Sequence, residues 1–162
     1  MKIYNLNSGS GGNSGGNSGG SSGGNSGNSG GSGGSFYTPP TRQTKTIVTP
    51  SLTDQETHNV SVTGFKSYAI LEVSSTTSAW VRIYTSDTTR TNDATRTQYT
   101  DTMPGSGVIA EFMTISTNTI EVTPVVIGFV NPASTTIPIA VTNISGSDAT
   151  ISVSLTLLQL ES

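Results

Sequence analysis

The chain contains no cysteine, which removes disulfide staples, thiolate metal sites and cysteine nucleophiles in any redox compartment. Histidine occurs once, at His58, so any triad built on an imidazole base would have to use that residue. In its strand-like Glu-Thr-His-Asn-Val run, His58 reads as a surface side chain. Charge is scarce as well: 10% of the residues are charged and the net charge is −3. That balance suits neither a nucleic-acid binder nor an acidic solvating tail. No run approaches the ~18 apolar residues that span a bilayer, and Met1–Asn7 lacks the apolar core of a secretory signal. The carboxylates are scattered singly, without the pairing of a glycoside hydrolase or the spacing of a cation loop. The expectation is a soluble, non-enzymatic protein made in a cytoplasm. No catalytic residue, cofactor, metal, nucleic-acid partner or membrane insertion is expected.

What the sequence has instead is Thr, Ser, Asn and Gln, a polar alphabet suited to pleated surfaces, where β-branched Thr packs well. Its 162 residues allow one well-buried core once the N-terminal part is set aside. Three regions follow: an apolar peptide at 1–7, a Gly/Ser/Asn-rich linker at 8–35 and a folded domain at 36–162. The linker repeats Gly-Gly-Asn-Ser at 11–14, 15–18 and 23–26 and has nothing to bury, so it reads as a flexible tether of roughly 30 Å typical reach. Its Gly12-Asn-Ser14-Gly-Gly16 matches a nucleophile elbow by letter only, since no strand or helix pattern flanks it. Ile3, Tyr4 and Leu6 are the only large apolar side chains between Lys2 and Phe36. They read as an anchor at the head of the tether, or as a frayed terminus.

From Phe36 onward, period-two alternation dominates and no helical stripe is sustained. Strands are expected near 44–48, 56–63, 67–75, 79–85, 96–100, 108–115, 118–123, 125–131, 136–143 and 149–160. Turn residues fall at Ser86-Asp87, Asn92-Asp93, Pro104–Gly107, Asn131-Pro132 and Ser145–Asp148. The fold class is all-β, an antiparallel β-sandwich of jelly-roll type. Val81, Ile83, Ile151, Val153, Leu155 and Leu157 are expected inside. After Leu157 the apolar positions move to Leu158 and Leu160, which predicts a bulge near 157–158 or a second apolar contact such as a neighbouring subunit. Pro138 is expected at an edge or a bulge.

The densest stretch is Ala79-Trp-Val-Arg-Ile-Tyr-Thr-Ser-Asp87, followed by Arg90, Asp93 and Arg96. Trp80, Arg82 and Tyr84 share one strand face, and such a row with Arg90 and Arg96 suits a subunit interface or a ligand surface. The structural alternative is that Trp80 caps the core while Arg82 lies along Tyr84.

The blocks Ala79–Asp87, Thr89-Arg90, Asp93–Arg96, Pro104-Gly-Ser-Gly-Val-Ile-Ala-Glu111 and Thr135–Asn143 resemble a domain of virion structural and tail-fibre-like proteins of phages that infect cyanobacteria. The similarity runs from about Leu52 to Leu160. It implies a virion protein that decorates the capsid or belongs to a tail or head appendage. Other virion proteins would be its partners, with a symmetric homo-oligomer, a trimer by preference. It brings no catalytic residues. The competing expectation is a host-surface or carbohydrate-binding adhesin, with Trp80, Arg82 and Tyr84 as an aromatic platform for a cell-surface glycan.

Overall fold

The computed structural model describes residues 39–162; the proposed anchor Ile3, Tyr4 and Leu6 and the 8–35 linker lie outside them. The elements are β1 (Arg42–Leu52), β2 (Thr57–Thr63), β3 (Ser67–Ser75), β4 (Ala79–Tyr84), α1 (Asp87–Asn92), β5 (Val108–Thr114), β6 (Asn118–Phe129), β7 (Thr136–Asn143) and β8 (Ala149–Glu161). A first sheet has the order β1-β8-β3-β6 and a second has β2-β7-β4-β5. Every ladder is antiparallel. Strands 4 and 5, 3 and 6, 2 and 7, and 1 and 8 are neighbours, so the chain is one long hairpin wound over two sheets. That is the arrangement of an eight-stranded jelly roll.

The core follows from the alternation. Ile151, Val153, Leu155 and Leu157 are fully buried from the first sheet, and Val81, Ile83, Ile137, Ile139 and Val141 from the second. Each such side chain contributes about 1.5–3 kcal/mol by leaving water. The polar positions between them face outward and pair across strands. Hydroxyl pairs join Thr44 to Thr156 at 3.2 Å, Thr46 to Ser154 at 2.9 Å and Thr57 to Thr142 at 2.7 Å, the contact that side-by-side Thr and Ser make on a pleated surface.

Four expectations are corrected. Residues 96–100 form no strand, because Arg96-Thr-Gln-Tyr-Thr100 has no apolar face to bury. The strands expected at 118–123 and 125–131 are the single strand β6, in which Val122–Val125 loops out opposite Leu71 and so accommodates Pro124. The turn residues Ser86-Asp87 and Asn92-Asp93 bracket the short helix α1, with Ser86 capping it. Thr89 takes the place of the usual Glu or Gln of a capping box: its hydroxyl accepts from the Ser86 N–H at 3.1 Å while Ser86 Oγ accepts from the Thr89 N–H at 3.2 Å. Pro138 sits in β7, an inner strand. It is tolerated there because the β4 ladder ends at the Ile83–Ile139 pair, one residue short of it.

In β8 the irregularity expected near Leu157–Leu158 falls at Leu160, and β3 has its own at Leu71. Alternation continues unbroken through Leu157, and Leu158 lies on the outer face of the sheet opposite Ala69. The change in apolar pattern therefore also marks a second apolar face.

Candidate interaction surfaces

All six residues of β4 are buried. Val81 and Ile83 belong to the core, whereas Trp80, Arg82 and Tyr84 point the other way and are covered by side chains of the segment between β4 and β5. The aromatic platform expected from the sequence is therefore not open: Trp80 is 3%, Arg82 2% and Tyr84 0% exposed.

A buried guanidinium must be paired, and Asp93 supplies the partner. Its carboxylate accepts from Arg82 Nη1 at 3.4 Å, from the Tyr84 hydroxyl at 2.8 Å and from Arg96 Nε at 2.7 Å. Arg96 also donates to Glu111 at 2.9 Å and to the Thr100 carbonyl at 2.8 Å. The Trp80 indole donates to the same Glu111 oxygen at 3.1 Å. The guanidinium carbons of Arg82 and Arg96 lie 3.9 and 4.9 Å from the Trp80 ring centre, within cation–π range. Burial works to raise the Asp93 pKa, but hydrogen bonds from Arg96 and Tyr84 and the charges of Arg96 and Arg82 prevail, holding it below the usual carboxylate range. Burial pushes the Tyr84 hydroxyl well above its usual value. Arg90 stands apart: it pairs with Asp87 at 2.9 Å and donates to the Val60 carbonyl at 2.6 Å, tying α1 to β2.

Thus Trp80, Arg82, Tyr84 and Arg96 come together as the sequence places them, while Arg90 serves a separate tie. Asp93, named in the same stretch of sequence, and Glu111 were not assigned as the partners of these side chains. The signal was present in the arginines themselves, since an Arg in the middle of an apolar strand needs a carboxylate from elsewhere in the chain. His58 lies in β2 opposite Val141. Among the described residues, no three His, Asp or Glu side chains gather as a metal site.

Two cavities flank this network. One, of about 470 Å³, is lined by residues including Asn92, Thr95, Asp101, Met103 and Ser106. The other, of about 220 Å³, lies between β4 and the 94–98 segment, with Gln55 and Thr57 at its rim.

The second surface is the outer face of the first sheet. On the edge strand β6, Val125, Ile127 and Phe129 are 47, 65 and 52% exposed. Ile127 pairs with Ala69 of β3, which pairs with Leu158 of β8. With half-exposed Leu160, these side chains make an apolar strip across three strands. The β1–β8 half of the same face carries the Thr and Ser pairs. β6 has one charged residue, Glu121, so it lacks the lysines that usually guard a sheet edge. Apolar strips of this kind mark interaction surfaces.

No family model, no curated protein and no solved structure matches the chain.

Proposed function

We propose that the protein is a structural component of a phage particle, a capsid decoration or a subunit of a tail or head appendage, assembled as a symmetric homo-oligomer with a trimer favoured. The observation that carries this is the exposed strip of Val125, Ile127, Phe129 and Leu160: it gives the domain an apolar surface that a second copy could cover. Jelly rolls recur in capsid and lectin domains. The resemblance of the Trp80–Tyr84 and Pro104–Glu111 blocks to phage virion domains points the same way. In this reading the 1–7 peptide docks the subunit to other virion proteins through its tether, gaining from effective concentration. Mass spectrometry of purified particles is expected to find the chain in many copies; particles without it would sink the proposal.

A second reading, a host-surface or glycan-binding adhesin, is favoured by the two cavities beside the β4 network. It does not use the aromatic faces of Trp80 and Tyr84, which are buried. A glycan array probed with the full chain tests it.

A further inference from the structure

We infer that the cavity between β4 and the 94–98 segment binds the carboxylate of an acidic sugar, such as a uronate unit of a glycan. The inference rests on the adhesin reading for the sugar and on the cavity wall for the carboxylate.

Arg82 does not spend all its hydrogens. Nη1 faces the Asp93 carboxylate and carbonyl at 3.4 and 3.5 Å, and Nη2 donates to Thr142 Oγ1 at 3.1 Å. Its Nε–H, although buried, has no partner. The same is true of Nε2 of Gln98, and both residues line this one cavity. A buried unpaired donor costs about 1–3 kcal/mol, more when charged. Both donors thus belong to side chains that line one small cavity.

The nearby carboxylates and the Thr142 hydroxyl are spoken for. Asp93 and Glu111 are engaged by Arg96, Tyr84 and Trp80, and the Thr142 hydroxyl is shared between Arg82 and Thr57. The complement is therefore a group that only accepts, and an ionised carboxylate is such a group. Its planar pair of oxygens matches the edge of a guanidinium. Arg82 and Arg96 are already balanced by Asp93 and Glu111, which favours one added negative charge over a phosphate dianion. A volume of about 220 Å³ is smaller than a drug-sized pocket and suits one ring. The exposed rim of Gln55, Thr57 and Thr97 offers amides and hydroxyls to the ring's own hydroxyls. Entry requires the Gln98 side chain to swing, and no hydrogen bond from its amide nitrogen opposes that.

The test is an NMR titration of the full chain with glucuronate, glucose and acetate, following the Trp80 indole and Gln98 amide signals, on wild type, Gln98→Leu and Gln98→Glu. Glucuronate is expected to shift both signals saturably in the wild type. Glucose and acetate should each bind at least about tenfold more weakly, the Leu variant should weaken glucuronate about tenfold, and the Glu variant should abolish its binding. Should a Gln98 variant fail to fold, the wild-type comparison of the three compounds decides alone. Glucose binding as well as glucuronate would overturn the carboxylate while leaving a glycan site. Acetate binding as well would overturn the sugar. Binding unchanged in both variants would overturn the site, and no shift with any compound, together with a silent glycan array, would remove the adhesin reading as well.

Discussion

The Tyr84 hydroxyl donates to Asp93 Oδ2 at 2.8 Å while Arg96 Nε grips the other oxygen of the same carboxylate at 2.7 Å. Through this one side chain the segment after α1 is fastened to the outer face of β4. Asp93 is 8% exposed, so its charge depends on those donors.

Because the folded-state pKa of Asp93 is lowered, its ionised form stabilises the fold above the unfolded value of about 3.9. That contribution is lost as pH falls through the lower, folded value. The thermal midpoint is expected to drop below about pH 4. Asp93→Asn, which strands Arg82 and Arg96, should lose ~3 kcal/mol at neutral pH, roughly 10 °C in midpoint, and show a shallower acid limb. A wild-type-like melting curve at pH 7 would contradict this account.

Arg96→Lys keeps the charge but cannot reach Asp93, Glu111 and the Thr100 carbonyl together as the guanidinium does. A loss of about 1–3 kcal/mol is expected, read from urea unfolding. Trp80 fluorescence should change at the same time, since Arg96 lies 4.9 Å from the indole centre.

Tyr68 and Gly128 make a paired test inside the core. The Tyr68 hydroxyl is buried without a partner, so Tyr68→Phe should be neutral or stabilising. A methyl at position 128 would come within 2.6 Å of the Tyr68 ring, so Gly128→Ala should cost about 1–3 kcal/mol. Calorimetry on both variants checks the opposite signs.

For the outer face of the first sheet, Ile127→Lys with Phe129→Lys is expected to leave the melting midpoint within a few degrees, because both side chains are already about half exposed or more. The same pair should break the homo-oligomer proposed above. Sedimentation at several concentrations measures it, and an unchanged assembly would place the interface elsewhere.

The strands with strict alternation were legible because a face that is half core and half water writes its period into the sequence. β8 is the clearest case, with apolar side chains at 151, 153, 155 and 157. β6 was read as two strands because Pro124 looks like a terminator; only the partner strand shows that the chain loops out opposite Leu71 and resumes the same ladder. α1 escaped notice because its six residues bury nothing, leaving no apolar stripe to find. The Trp80, Arg82 and Tyr84 face was visible, but what covers it was not: contact between Arg82 and Asp93, or Trp80 and Glu111, is a product of topology, which local pattern does not encode.

The winding of the hairpin also governs the order in which the chain can mature. β8 lies between β1 and β3, so a nascent chain emerging from the ribosome holds its first and third strands without the partner that joins them. Pairing of Arg42 with Leu158 closes a loop across nearly the whole domain, a slow step for a non-local topology. Until residues 149–161 are available, the first sheet has a gap where its central strand belongs. A chain stopped at Asp148 is therefore expected to melt without a cooperative transition, so that synthesis through β8 acts as a completeness check before the domain can take part in any assembly.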